Sequence, residues 1–423
     1  MMRTISYTLL FAVAAFLPAP ATSATGEPDL QQMWQLLQAQ QAQIAELTDA
    51  LQATRAELEA TRGSVQETRE QLVATADYVD TLESSDRSSA TSIGGYGEMH
   101  YSNVDARDAD LDYKEADFHR FVMFFGHEFN DRIRFFSEVE LEHSLVEDTD
   151  DGSGAGEVEL EQAFVEMDLD DHHYARAGLF LLPIGILNET HEPPTFYGVE
   201  RNDVESIIIP STWWEGGIGA GGRYGNGLSW DFAVHTGLEM PTAGGGAFAV
   251  RSGRQKLSEA NADDLAYTLR LRYTGIPGLE LAGSYHYQQD PTQLAGDGVD
   301  DGRLVSVHGI YDRGPFSLKA LWARWQFDGA GIELADADEQ TGWYVEPGLR
   351  IDLAGLDIGI YGRFEDVEGA RAQDRFEQWQ VGLSYWPIEN VVFKLDYRDR
   401  EHDLDAQQGR DFNAVDLGVG YYF

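Results

Sequence analysis

From Ile93 to the last residue, apolar and polar positions alternate with a period of two. Leu228, Trp230, Phe232, Val234, Thr236 and Leu238 interleave with Ser229, Asp231, Ala233, His235, Gly237 and Glu239. Leu265, Tyr267, Leu269, Leu271 and Tyr273 interleave in the same way with Ala266, Thr268, Arg270 and Arg272. Each pattern sets one apolar face against one polar face, as a half-buried strand requires. Similar stretches recur near 94–103, 118–130, 132–144, 157–169, 174–185, 212–225, 228–239 and 263–275. They continue near 279–290, 301–314, 315–329, 340–353, 356–369, 373–388, 391–403 and 410–423. That predicts about 16 antiparallel strands, an even number as in single-chain bacterial barrels.

The connections alternate strictly between tight and long. Tight turns fall at Asn130-Asp131, Asp170 to His173, Asn226-Gly227, Ile276 to Gly278, Gly314-Pro315, Ala354-Gly355 and Glu389-Asn390. Longer links lie near 104–117, 145–156, 186–211, 240–262, 291–300, 330–339, 370–372 and 404–409. Short turns on one rim and long loops on the other predict an all-β membrane barrel over 93–423, with water inside and lipid outside. A stack of soluble sandwiches fits less well, because the faces opposite the apolar ones carry Arg, Asp and Glu that a dry core would not accommodate. Trp213, Trp214, Trp230, Trp322, Trp325, Trp343, Trp379 and Trp386 are read as lying near strand ends or on the apolar faces, as membrane girdles do.

Upstream the period is seven. Leu30, Leu37, Ile44, Leu51, Leu58, Val65, Leu72 and Val79 form one series, followed three residues later by Met33, Gln40, Leu47, Thr54, Thr61, Thr68, Thr75 and Leu82. This predicts a helical coiled coil over 25–92 with an apolar a layer and a d layer that is mostly polar in its C-terminal half. A lone amphipathic helix is the alternative. Residues 1–24 read as a secretory leader: Arg3, an apolar stretch from Tyr7 to Leu17, then small residues with cleavage after Ala21 or Ala24. The expected location is therefore a Gram-negative outer membrane, with the coiled coil in the periplasm.

Composition narrows the chemistry. Asp and Glu number 73 against 30 Lys and Arg, a formal charge of −43, with 43% apolar residues. Such a chain can bury a core, and its charge excludes a nucleic-acid partner, which needs clustered cations. The absence of cysteine removes disulfides, thiolate metal sites and a Cys nucleophile. No G-x-S-x-G, H-E-x-x-H or P-loop pattern occurs, so neither catalysis nor a cofactor is expected. Asp148-Thr149-Asp150-Asp151-Gly152 lacks the ligand spacing of a calcium loop and reads as an acidic surface loop, and His172-His173 as solvated. No metal site is expected.

Gly94-Gly95-Tyr96-Gly97-Glu98, Phe118-His119-Arg120-Phe121, Asp131-Arg132-Ile133-Arg134-Phe135-Phe136-Ser137-Glu138 and Gly178-Leu179-Phe180-Leu181-Leu182-Pro183-Ile184-Gly185 resemble porins of the phosphate-selective porin O and P family. Asn188 to Pro194 and Tyr197 to Asn202 belong to the same resemblance, which spans essentially the whole mature chain. It implies a trimer of 16-stranded pores whose third outer loop folds into the channel. Tyr421 and the terminal Phe423, in line with Val419, Leu417 and Val415, resemble the signal read by the barrel-assembly machinery. Outer-membrane lipid and lipopolysaccharide are the expected surroundings, and peptidoglycan is the partner toward which the coiled coil would reach if the barrel were a tether.

The longest link, 186–211, is the expected constriction, because loops this long inside a compact protein are usually functional. It holds Glu189, Glu192, Glu200, Asp203 and Glu205 against Arg201, with Ile207, Ile208 and Ile209 arguing against full exposure. Alternation predicts lumen-facing cations at Arg120, Arg132, Arg134, Arg176, Arg223, Arg270, Arg272, Arg350, Arg363, Lys394 and Arg398, since their neighbours are apolar and an Arg at mid-depth in lipid costs ~2–4 kcal/mol. Each either lowers the barrier to anions or braces the wall by pairing with Glu138, Glu140, Glu166, Asp231, Glu346, Asp352 or Asp396. Lysine is confined to Lys114, Lys256, Lys319 and Lys394, and the constriction is acidic, so passive diffusion of small polar solutes and ions is the expectation ahead of phosphate selectivity. The other readings are a structural tether, with the barrel as anchor for the coiled coil, and a barrel enzyme with a rim Ser or Asp near a His.

Overall fold

The computed structural model describes residues 90–146, 148–149, 152–153, 156–294 and 298–423. The leader and the heptad segment lie outside these residues. Sixteen antiparallel strands close into one barrel. In chain order they are β1 (Thr91–Ala106), β2 (Tyr113–Asn130), β3 (Ile133–Glu142), β4 (Val158–Asp168), β5 (His173–Leu181), β6 (Trp214–Arg223), β7 (Leu228–His235) and β8 (Ala266–Ile276). They continue with β9 (Leu279–Gln288), β10 (Asp301–Arg313), β11 (Phe316–Asp328), β12 (Glu339–Leu353), β13 (Leu356–Glu368), β14 (Arg375–Ile388), β15 (Val391–His402) and β16 (Phe412–Tyr422). Every strand pairs with its sequence neighbour, and β1 pairs with β16 from Tyr96↔Tyr422 to Ala106↔Phe412. Phe423 completes the seam: its N–H donates to Gly95 O at 2.8 Å and its carbonyl accepts from Gly95 N at 3.0 Å.

The two faces follow the period of two. On β8, Tyr267, Leu269, Leu271 and Tyr273 are exposed on the outside while Ala266, Thr268 and Arg270 are buried within. Outward rings cluster, with Trp343, Phe364 and Trp379 at centroid separations of 5.3 and 4.6 Å. The tightest turns are two-residue hairpins; at Ala354-Gly355 both residues have positive φ (58° and 86°), the geometry whose twist matches flanking strands. The first long link shrinks to residues 107–112, because β1 and β2 keep pairing up to Val104↔Tyr113 although the segment is polar. Ladder hydrogen bonds need no apolar face once the hairpin stands clear of hydrocarbon.

Two expectations are corrected. The stretch 174–185 does not stay in the wall: β5 ends at Leu181, and Leu182 to Gly185 turn into the lumen. The tryptophans do not all face lipid. Trp213, Trp325 and Trp386 are buried inward, and Trp214 is covered by Arg254 and Lys256. The reason is that part of the lumen holds its own apolar core. Ile184, Ile208, Ile209 and Trp213 from the loop between β5 and β6 pack with Met240 and Val250 from the next loop, and with Leu304, Leu321, Trp325, Tyr344 and Phe376 of the wall. Inward-facing apolar residues on β10 to β14 thus cover loop, not lipid.

Candidate permeation path

The third long connection, residues 182–213, folds inside the barrel and divides its section. Its ends are tied by one side chain. Asn188 donates from Nδ2 to Leu182 O (2.7 Å) and Trp213 O (3.0 Å), and its Oδ1 accepts from Trp213 N (2.6 Å). Glu205 fastens the middle. One carboxylate oxygen accepts from Ile186 N (2.5 Å) and Leu187 N (2.7 Å), the other from Tyr344 OH (2.8 Å) and Asn202 Nδ2 (3.2 Å). Trp325 Nε1 donates to Ile208 O at 2.9 Å, joining the loop to the wall on β11.

The free space lies along the opposite wall. A cavity of about 400 Å³ is bounded by Glu98, His100, Glu115, Asp117, His119 and Arg120 of β1 and β2, by Glu200, Arg201 and Asp203 of the loop, and by His143, Arg251 and Arg398. A second, of about 480 Å³, opens beside it between Asn103–Asp105 and Asp112–Lys114 at the long-loop rim. Glu200 Oε1 meets His100 Nδ1 at 2.9 Å, and His100 Nε2 meets Glu98 Oε2 at 3.1 Å. Burial alone would raise the Glu200 pKa, yet the hydrogen bond and charge of His100 hold it well below the usual carboxylate range. This loop carboxylate therefore stays ionised.

Of the six loop residues expected at the constriction, Glu200, Arg201 and Asp203 line this cavity. Asp203 pairs with Arg400 and accepts from Gln378 Nε2 at 3.2 Å. Glu189 pairs with Arg270 on β8, Glu192 is half-buried, and Glu205 is fully buried as a fastener. Among the expected cations, Arg120 and Arg398 line the cavity, both ion-paired: Arg120 Nε to Glu98 at 2.7 Å, Arg398 Nε to Asp416 at 2.6 Å. Arg270 pairs with Asp231 (2.7 Å) and Arg363 with Glu346 (3.1 Å), both buried. Lys394 donates to Gly198 O at 2.7 Å and lies 3.8 Å over the Phe196 ring, so it holds the loop from below. Arg134 braces Glu166 and Asp168, and Arg176 lies over the Phe180 ring at 4.3 Å. Arg272 approaches Ser229 Oγ at 3.4 Å.

Three of the expected lumen cations belong to the short-turn rim. Arg132 precedes β3 and donates to Asp168 O (2.7 Å) and Leu169 O (2.6 Å); Arg223 ends β6 over Tyr174; Arg350 is ion-paired with Asp357 and stacks on Trp386. Alternation gives a face, not a depth, so it does not separate strand ends at the rim from the lining of the path. Tyr421 and Phe423 sit on the outward face of the closing strand, Phe423 stacked on Phe121 at 6.2 Å.

Other contributors carried no period-two signal. Arg251, in the loop 236–265, reaches the cavity and donates to Ser211 O at 2.5 Å; burial, with Arg254 nearby, lowers its pKa to about 9. His119 faces inward through a β-bulge. Glu98 pairs with Arg120 and His100 with Asp117, so Phe118 and His119 together oppose Met99. A matching bulge in β4 turns Glu161 inward beside Gln162.

A closed 16-stranded barrel with an inward-folded loop and an ionised path beside it defines a passive diffusion channel rather than an enzyme. The chain belongs to the Gram-negative porins, whose family model matches residues 72–423, and its place is the outer membrane. An uncharacterised protein of Aquifex aeolicus is 30% identical, the match covering 72% of this chain and 74% of that one. Solved structures share the fold at low identity. The anion-selective porin of Comamonas acidovorans superposes with a TM-score of 0.54 at 12% identity, covering 79% of this chain and 100% of that one. The outer membrane channel DcaP of Acinetobacter baumannii gives 0.52 at 14%, covering 79% and 97%. Salmonella typhi OmpF, in complex with daunomycin, gives 0.51 at 14%, with the same coverage.

Proposed function

We propose that this porin passes small polar solutes and ions with a weak preference for cations, and that phosphate is not its specific cargo. The observation that carries this is the balance of the path's charges. The five carboxylates of Glu98, Glu115, Asp117, Glu200 and Asp203 outnumber the four guanidiniums of Arg120, Arg201, Arg251 and Arg398 around the same space, and Arg120 and Arg398 are each ion-paired with a wall carboxylate. A phosphate-selective path needs cations whose donors are free to replace the hydration of an oxyanion. Here Arg398 gives two donors to Asp416, Arg251 one to Ser211 O and Arg201 one to His191 O, and the field runs across the channel between β1–β2 and the loop. The likeness to the phosphate-selective porins accordingly extends to architecture, and the anion selectivity named for the Comamonas porin belongs to that protein. Assembly as a homotrimer, with a periplasmic coiled coil upstream, completes the proposal; the tether and enzyme readings gain no support from the path.

The test is single-channel recording from the purified mature protein in planar bilayers under a KCl gradient, with phosphate added. Stepwise openings, a reversal potential on the cation side and no block by millimolar phosphate are expected. Block at low phosphate with anion preference would overturn the selectivity, and absence of conductance would overturn the channel. Removing residues 27–87 tests the trimer: an unchanged oligomer places association in the barrel wall.

A further inference from the structure

We propose that Asp117, His119 and His143 form a binding site for a divalent transition-metal ion of the zinc class on the wall of the permeation cavity, and that its occupancy alters conduction. The second clause rests on the diffusion-channel reading; the first does not.

The donors already converge. His143 Nδ1 lies 2.8 Å and His119 Nδ1 3.2 Å from the same oxygen of Asp117, and ligand atoms from all three residues lie within 4.8 Å of one another. Two ligands on one tetrahedral zinc, each at ~2.0–2.1 Å, stand roughly 3.3 Å apart. Opening the two His–Asp contacts by no more than about half an ångström reaches that spacing, and the histidine pair, with ring centroids 5.8 Å apart, has its donors within 4.8 Å and needs only a side-chain adjustment. Two imidazoles and one carboxylate are the donor set that suits zinc, copper or nickel, whereas magnesium prefers all-oxygen shells that keep several waters.

The backbone holds the trio in place. The β2 bulge brings His119 to the same side as Asp117 and Arg120, and His143, just past β3, has φ 54°. That turn sets the two histidines opposite each other, with His143 N donating to His119 O at 3.2 Å. His100 stacks on His119 at 4.7 Å and is itself fixed by Glu98 and Glu200, so the His119 ring has a rigid backing. The site is reachable: 28% of the His119 side chain and 35% of that of His143 are exposed, and both border the 400 Å³ cavity. The remaining coordination positions point to water and to whatever permeates. A bound dication there would reverse the local charge next to Glu200 and Asp203.

Two further acidic groupings lack this access. Glu138, Glu161 and His191 are sealed beneath the loop, and Glu140, Glu159 and Glu161 already meet Arg120 and Lys256.

Zinc binding should be measured by calorimetry on the full mature protein in detergent, with excess Mg²⁺ to occupy acidic loops, and current recorded with micromolar Zn²⁺ added. One saturable site per chain is expected, weakened at least tenfold in both His119→Ala and His143→Ala. In the wild type Zn²⁺ should change the single-channel current, and Mg²⁺ should not. Cu²⁺ as a spectroscopic probe should show two nitrogen ligands in the wild type and one in His143→Ala, a readout that a merely hydrogen-bonded trio would not give. Equal zinc affinity in wild type and both variants, or no saturable binding, would overturn the site. Saturable binding without any change in current would overturn its effect on conduction, and a protein that binds zinc yet never conducts would overturn the channel reading instead.

Discussion

Glu205 shows how little a carboxylate's position in a loop reveals about its task. By sequence it is one of five acidic residues at a constriction; in the structure it is wholly buried and accepts four hydrogen bonds, two from backbone amides of its own loop. Replacing it by Gln turns one acceptor into a donor that faces either two backbone amides or the Asn202 amide beside a Tyr344 hydroxyl that must reverse, and each buried donor left unpaired costs roughly 1–3 kcal/mol. Glu205→Gln should therefore loosen residues 182–213 while the barrel still closes, seen as faster protease cleavage within the loop of an intact, heat-modifiable barrel. Cleavage at the wild-type rate would show that the apolar contacts hold the loop alone. Gly185 gives an independent approach to the same contact. Its φ of 74° suits glycine, and a Cβ there would meet Glu205 Oε1 and stand 3.1 Å from Ile209 Cδ1. Gly185→Ala should reproduce the loosened loop, and a variant as resistant as wild type would show that the loop relaxes without losing its fastener.

Among the contacts that hold the third loop as an element is one buried histidine clamp. His191 has both ring nitrogens engaged, Nδ1 with Asn188 O at 3.3 Å and Nε2 with Glu138 at 3.3 Å and Glu161 at 3.5 Å. Burial alone would lower its pKa, but hydrogen bonds to the two glutamates raise it from 6.5 to about 10. Because the docked value is the higher one, the contact stabilises docking fully below pH 6.5, weakens as pH rises above it, and is lost through about pH 10. Proteolysis of the loop should accelerate between pH 7 and pH 11, with a shallower rise in His191→Gln; matching profiles would remove His191 from the clamp. The elements themselves were largely legible in the sequence, since β7 and β8 show their faces residue by residue and tight turns such as Ala354-Gly355 mark their own ends. The site was less so. Strict alternation puts His119 outward once Arg120 is placed inward, and only the bulge reverses it; nothing in a period of two announces an inserted residue. Nor can that period tell an apolar face turned to lipid from one turned to a loop, and Trp325, which donates to Ile208 O, carries the same signal as a girdle residue.

At the scale of the whole molecule, the charge of −43 and the charge of the path are separate quantities. Part of the former sits on long-loop segments such as Asp105 to Asp112, where divalent cations and salt screen it within a Debye length of ~8 Å. Selectivity is set where an ion must pass within several ångströms of fixed groups. A single unpaired charge about 8 Å from an ion in water changes its energy by about 0.5 kcal/mol, which is about a twofold change in permeability. Glu200 stays ionised beside the path, and Asp203 neutralises Arg400. Removing either carboxylate makes the path one charge more positive, the second by releasing a guanidinium. Each charge disfavours the cation about twofold and favours the anion about twofold, so Glu200→Gln combined with Asp203→Asn should lower the cation-to-anion permeability ratio about sixteenfold at low salt, and by much less at 1 M, where screening shortens to ~3 Å. Reversal potentials under a KCl gradient measure this directly, provided the stepwise openings persist. A ratio that stays put while the same substitutions alter conductance would mean that the acidic mouth, rather than the loop face opposite β1 and β2, selects the ion; a neutral exchange among the carboxylates at 105–112 would then have to carry the shift.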